Sequence, residues 1–165
     1  MLALNSFKLR RAGDVPLGNV VARHHGGAVP FDFALSVADA DKQQGLLCFV
    51  RHPPRNSCVP TFFRSNAHCV DLGVPASAFW DPDPAGLREW SSPGETGSIV
   101  ITADGLLIAG VIHGGFRDIR YWNIATGECV SAMTLYNSAP AVVLNWNLGL
   151  PGADGRICTL AQMGN

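Results

Sequence analysis

Glycine and proline divide this chain into short apolar segments, and that division constrains the fold more than any other feature of the sequence. The 165 residues include 18 glycines and 11 prolines. Short apolar segments bounded by turn-forming residues are typical of β-strands, because a strand needs only about 4–8 residues. The segments predicted to form strands span residues 18–22, 31–37, 45–50, 98–102, 106–112, 119–124, 129–136, 141–148 and 156–161.

The turns between these segments have the residues that tight hairpins require. Aspartate or threonine is followed by glycine at residues 104–105, 126–127 and 154–155, and glycine supplies the positive φ of a hairpin turn without a steric cost. Helical signals are sparse, although residues 38–47 favour one or two helical turns with Asp39 or Asp41 as the cap. The pattern predicts an all-β fold that is mainly antiparallel.

The charge of the chain narrows the classes of partner. The formal net charge is −1, and charged residues make up 15% of the sequence, against about 25% in an average protein. With no basic field to attract phosphates, we expect no nucleic-acid partner. The longest wholly apolar run beyond the amino terminus spans residues 106–112, far short of the roughly 20 residues that cross a bilayer. We therefore expect no membrane partner, and the scarcity of charge leaves room for a protein partner or an oligomer.

The cysteines indicate a reducing compartment. Their number is five and odd, no Cys-x-x-Cys pair occurs, and the amino-terminal segment has no apolar core of signal-peptide length. We predict free thiols and a cytoplasmic location. Cysteine and histidine do alternate between residues 48 and 69, but their spacing fits no common zinc pattern, so neither a metal site nor a cofactor is predicted.

One glycine-bounded turn stands directly before the predicted hairpin at 98–112. It reads Gly94-Glu95-Thr96-Gly97. A turn of this form followed by two strands resembles the nucleophile hairpin of trypsin-like peptidases, especially the compact proteases of small RNA viruses. The resemblance covers about 25 residues, from 91 to 115.

The resemblance implies a fold and a set of site residues. It implies two antiparallel, barrel-like halves at residues 1–78 and 94–165, joined by a connecting loop at 79–93. It places Thr96 at the nucleophile position and the backbone N–H groups of Gly94 and Thr96 in an oxyanion hole. The substrate wall would carry His113, Gly114 and Gly115.

A peptidase also needs an imidazole base and an acid that orients it. His24 and His25 directly follow a predicted strand, 72 residues before Thr96 (96 − 24), and this separation suits a base in a first barrel. His68 lies only 28 residues before Thr96 (96 − 68), too few to finish one barrel and begin another. The candidate acids are Asp32, Asp39 and Asp41.

Threonine departs from the serine or cysteine of the family. Its extra methyl group fixes χ1 and crowds the path of attack, and threonine nucleophiles usually rely on their own terminal amine, which Thr96 lacks. The sequence therefore predicts a trypsin-like relative with a peptide-binding groove and weak or absent catalysis. An active, unusual endopeptidase and a non-enzymatic β-rich interaction module remain as alternatives.

A second resemblance supports the interaction module. Residues 103–130 resemble one blade of a WD-repeat propeller, with Asn123 where such blades have aspartate. A propeller needs several blades of about 40–45 residues, and no second copy of the motif is visible in the sequence. An unrelated β-sandwich or barrel is the other alternative fold.

Overall fold

The structure is a computed structural model that describes residues 7–24, 32–52, 57–75, 80–90, 95–114, 118–136, 141–151, 154 and 156–163. The strands are β1 (Lys8–Arg11), β2 (Asn19–Arg23), β3 (Asp32–Ala38), β4 (Gln44–His52), β5 (Ser57–Phe63), β6 (His68–Pro75), β7 (Trp80–Pro82), β8 (Leu87–Glu89), β9 (Ile99–Thr102), β10 (Gly105–Ile112), β11 (Ile119–Asn123), β12 (Cys129–Val130), β13 (Ala141–Val143), β14 (Trp146–Pro151) and β15 (Ile157–Met163). The helical elements are α1 (Ala132–Tyr136) and 3-10 turns at Ala12–Asp14 and Pro84–Gly86.

The strands form two sheets. The larger has twelve strands in the order β1-β6-β2-β3-β4-β5-β10-β9-β13-β8, with β11 beside β10 and β12 beside β11; the smaller has the order β15-β14-β7. Neighbouring strands pair antiparallel, except that β5 and β10 pair parallel. The predicted all-β class is thus confirmed. The finer prediction of two trypsin-type barrels is not confirmed, because one open sheet runs through both halves of the chain.

One face of the large sheet packs against the small sheet and forms the main hydrophobic core. Trp146 of β14 lies at its centre, with ring centroids 4.6 Å from Trp80 and 5.9 Å from Phe49. The Trp146 side chain is fully buried, and its Nε1–H donates to the carbonyl oxygen of Gly97 at 2.7 Å. This bond fastens the turn before β9 to the small sheet.

The opposite face of the large sheet carries two smaller clusters. The first lies under the 3-10 turn at Ala12–Asp14 and consists of Ala12, Val15, Val21, Ala34, Leu46, Cys48 and Cys69. The second lies under α1 and consists of Val100, Leu107, Ala109, Tyr121 and Leu135. Between them, Thr61 and Phe63 of β5 and Val111 of β10 are only partly covered.

The β5–β10 pair joins the two parts of the chain. Thr61 lies opposite Val111, and Phe62 lies opposite Ile112. The ring of Trp122 stacks on Phe62 at 5.8 Å, close to the same junction. The division into residues 1–78 and 94–165 remains a prediction, and the proposed connecting loop at 79–93 contains β7 and β8.

Local structure follows the predicted hairpin and departs from the sequence pattern elsewhere. β9 and β10 pair with Thr102 opposite Gly105, as predicted. The helical turns predicted at 38–47 are wrong: the Asp39 carboxylate accepts the N–H groups of Asp41 and Gln43 at 2.9 and 3.0 Å and closes a tight turn between β3 and β4. The strand predicted at 129–136 ends at Val130, and α1 follows.

The propeller-like segment forms β10, β11 and β12, which continue from β9 as a four-stranded antiparallel meander. Its β11–β12 turn is organised by Asn123, whose Oδ1 accepts the N–H groups of Ala125 and Thr126 at 2.9 and 3.1 Å. The turn docks on the first part of the chain, where the Gly127 carbonyl accepts Ala38 N–H at 2.8 Å. The meander is therefore built into the large sheet.

Gly110 marks the closest approach at the β5–β10 junction. A Cβ atom there would lie 2.7 Å from the Pro60 carbonyl oxygen, 3.0 Å from Trp122 and 3.1 Å from Leu47. We expect Gly110→Ala to lower the free energy of unfolding by about 1–3 kcal/mol through overpacking, measured by urea denaturation. Gly13→Ala is the control, because nothing lies within 4 Å of its added Cβ. Equal stabilities for the two variants would contradict the tight junction.

Candidate functional site

The predicted nucleophile turn is a tight β-turn at residues 95–98. Ser98 N–H donates to the Glu95 carbonyl at 3.0 Å, and Gly97 has a φ of 87°, which glycine adopts without strain. Gly97 N–H donates to the Ala109 carbonyl at 2.7 Å. Two consecutive N–H groups of the turn are thus bound within the protein, and neither is directed at a substrate.

Thr96 stands at the first central position of this turn and is partly exposed. Within the described residues, no hydrogen bond joins its hydroxyl to an imidazole. His24 lies exposed directly after β2, and His68 begins β6. His25 and Gly94 fall outside the described residues, so the catalytic assignment to Thr96, Gly94, His24 and His25 stays a prediction.

His113 directly follows β10. Its backbone N–H donates to the Phe62 carbonyl at 2.9 Å, and its exposed imidazole stacks on the Phe63 ring with centroids 4.4 Å apart. Gly114 then turns the chain with a φ of 78°, and Gly115 lies outside the described residues. The structure therefore places His113 against an aromatic ring of β5.

The same strand separates His113 from the Thr96 turn. Gly97 bonds β10 at Ala109, and His113 lies four residues further along, about 13 Å at the rise of a strand. Between these two points, β5 occupies the edge of β10 through Thr61 and Phe62. The structure does not bring the Thr96 hydroxyl and the His113 imidazole into direct contact.

Arg23 completes the group around Phe63. Its guanidinium carbon lies over the Phe63 ring, 5.3 Å from the centroid. Arg23 is on β2 and Phe63 on β5, three strand positions apart, or about 14 Å in a flat sheet. The long Arg23 side chain therefore extends past β3 and β4 to reach the ring.

We call this region the seam surface, because it lies where the two parts of the chain meet between the two small clusters. It consists of Arg23, Thr61, Phe63, Val111 and His113. The strand registers place Cys48, Thr61 and Val111 in one row on the same face of the sheet. An aromatic ring, a cation and an imidazole thus share one partly exposed surface, a combination suited to recognising a peptide or protein group.

The floor of this surface is apolar. Cys48 is buried beside Arg23 and Asp32, and burial raises the pKa of its thiol from 9.0 to about 11; Arg23 lowers that pKa and Asp32 raises it, both by smaller amounts. A thiol with so high a pKa is a poor nucleophile at neutral pH. Cys48 therefore contributes packing and a low dielectric rather than chemistry.

Sequence reasoning found His113 and missed its partners. Residues 51–60, shortly before Phe63, are rich in proline and favour a loop, and Arg23 stands directly before His24 and His25. The adjacent aromatic residues Phe62 and Phe63 were a usable signal for β5. Neither Phe63 nor Arg23 could be linked to His113 without knowing that β5 pairs with β10.

The described part of the chain offers little support for other kinds of functional site. Among those residues, no group of three His, Cys, Asp or Glu side chains is placed to hold a metal ion. Cys48, Cys69, Cys129 and Cys158 are free thiols. The described helices include none long and apolar enough to cross a membrane.

Comparison with protein-family models, curated proteins and solved structures finds no match to this chain.

Proposed function

We propose that this chain binds an extended peptide or protein segment at the seam surface and does not cleave it. The observation that carries the proposal is the Phe63 ring, which the His113 imidazole stacks on and the Arg23 guanidinium covers. Aromatic residues and arginine are enriched where proteins recognise one another. Among the described residues, Arg23, Thr61, Phe63 and Val111 are only partly buried and His113 is exposed.

The geometry of the 95–98 turn supports binding without cleavage. Acyl transfer needs a nucleophile with a base in reach and N–H donors aimed at the developing oxyanion. The N–H groups of Gly97 and Ser98 donate to carbonyls of the protein and hold residues 95–98 as a tight β-turn; the predicted oxyanion donors are the N–H groups of Gly94 and Thr96, and among the described residues no imidazole is hydrogen-bonded to the Thr96 hydroxyl. Thr96 adds the steric restriction of a β-branched side chain.

Descent from trypsin-like peptidases is part of the same proposal. The hairpin of β9 and β10 directly after a glycine turn supports it. A non-enzymatic interaction module without that ancestry is the second candidate, and the open twelve-stranded sheet favours it. An active endopeptidase has the least support, because it would need a base beside Thr96.

Binding and cleavage can be measured in one experiment with a synthetic library of capped octapeptides. We expect the protein to retain a subset of the library, and Phe63→Leu and His113→Ala to weaken that retention about five- to tenfold, the size of a lost aromatic contact. Mass spectrometry should find no cleavage by the parent protein or by Thr96→Cys.

The matched control is Arg156→Gln, which removes a guanidinium whose side chain is 89% exposed near β15. It should leave peptide retention unchanged. Retention that is indifferent to both seam substitutions would overturn the seam surface as the site. Cleavage that disappears in Thr96→Ala would establish the peptidase instead.

A further inference from the structure

Arg23 has hydrogen-bonding capacity that the described residues do not use. Its side chain is only 20% exposed, and its Nε is buried without a hydrogen-bond acceptor. The carboxylate paired with it belongs to Asp32, with Nη2 and Oδ2 3.7 Å apart, beyond the usual hydrogen-bond length. Within the described residues the guanidinium is held by charge and by the Phe63 ring and donates no hydrogen bond.

Three other arginines, Arg64, Arg88 and Arg120, do donate hydrogen bonds to carboxylates, although the Nε of Arg120 is, like that of Arg23, buried without an acceptor among the described residues. Arg64 donates to Asp39 from both Nε and Nη2, at 3.2 and 2.9 Å, and Arg120 donates to Asp118. A partly buried cation with unused donors is costly to leave without an acceptor. The loose pairing of Arg23 therefore points to an acceptor that the described residues do not supply.

Building on the proposed function, we infer that the seam surface recognises a carboxylate, and hence a peptide with a glutamate or aspartate side chain. A guanidinium matches a carboxylate with two parallel N–H bonds. The exposed His113 imidazole makes no hydrogen bond to a described residue, so one ring nitrogen can donate to the same group. The Asp32 carboxylate offsets one positive charge of the surface. The positive charge that is left suits a monoanion better than a dianionic phosphate.

The test uses three octapeptide libraries that differ only in a fixed central residue: glutamate, glutamine or phosphoserine. We expect about tenfold greater retention of the glutamate library than of the glutamine library, as a charge-assisted hydrogen bond provides. Arg23→Gln should abolish that preference, and Arg23→Lys should keep part of it. Asp32→Asn should strengthen the preference, since it removes the competing carboxylate; this gain does not depend on whether the arginine variants fold.

The possible outcomes distinguish a failure of carboxylate recognition from a failure of the proposed peptide binding. Equal retention of the glutamate and glutamine libraries, or a preference that survives Arg23→Gln, would overturn carboxylate recognition and leave peptide binding in place. Greater retention of phosphoserine than of glutamate would assign the site to phosphate. Retention of none of the libraries would overturn both the inference and the proposed function.

Discussion

Replacing Trp146 with alanine is expected to lower the free energy of unfolding by about 3–5 kcal/mol, the usual cost of emptying a large buried aromatic site. The indole is 1% exposed and packs against Trp80 and Phe49 in the main core. It also supplies the Nε1–H that binds the Gly97 carbonyl. Urea denaturation at neutral pH measures the loss.

Trp146→Phe separates the packing from the hydrogen bond. It keeps a ring in the core but leaves the Gly97 carbonyl without its donor, so we expect a loss of about 1–3 kcal/mol. Met133→Ala is the surface control, since Met133 is 71% exposed and such changes usually stay within about 0.5 kcal/mol. A phenylalanine variant as stable as the parent would show that the bond to Gly97 contributes nothing to stability.

The hairpin of β9 and β10 could be predicted from the sequence because all its determinants are local. Two apolar runs flank Asp104-Gly105, and Thr102 Oγ1 accepts the Asp104 N–H at 3.3 Å across that turn. The same holds for the Asn123 turn, whose bonds span two or three residues. Where the turn residues and the strand pattern agree over about a dozen residues, the sequence alone is enough to predict the hairpin.

β5 and β6 were missed because distant residues stabilise them. Pro60 interrupts the β5 pattern, and proline within a run argues against a strand. In β6 a charged residue, Asp71, interrupts the apolar run, yet it is buried and accepts from Asn19 and Gly73 at 3.1 and 2.8 Å. Asn19 is 52 residues away in sequence, so no local sequence pattern predicts this hydrogen bond.

The short helix α1 was missed for the opposite reason, because its signal is local but weak. Ser131 caps it: Met133 N–H donates to the Ser131 hydroxyl at 3.3 Å, and Thr134 N–H donates to the Ser131 carbonyl at 3.0 Å. The surrounding β-branched and aromatic residues favour a strand. Burial of Leu135 in the cluster beneath α1 decides in favour of the helix.

The seam surface depends on pairing that only the fold reveals. Phe63 and His113 are 50 residues apart (113 − 63), and they meet because β5 and β10 run parallel at one edge. The sequence suggested His113 through a family resemblance that implied a place on the substrate wall beside the Thr96 turn. The structure gives His113 an aromatic partner on β5, so the proposed recognition surface is built around Phe63 rather than around the Thr96 turn.

The stability of the protein is expected to fall as the pH rises from about 9 to about 11, with Cys48 as the main cause. Burial raises the pKa of this thiol from 9.0 to about 11, and burial also raises the pKa values of Cys69 and Cys129. Because the pKa of Cys48 is raised in the folded state, the stability that its protonated thiol provides is fully present below pH 9. Above it, the unfolded chain releases a proton that the folded chain keeps, so Cys48 alone removes about 2–3 kcal/mol across the window.

Urea denaturation at several pH values between 7 and 11, under reducing conditions, measures this dependence. Cys48→Ala should be less stable than the parent at pH 7, because it leaves a small cavity, but its stability should fall less steeply above pH 9. The difference between the two proteins should therefore shrink as the pH rises. Cys158→Ala, which removes an exposed thiol on β15, should follow the parent curve throughout. Parallel curves for Cys48→Ala and the parent would show that the Cys48 thiol does not stay protonated in the folded protein while it ionises in the unfolded chain.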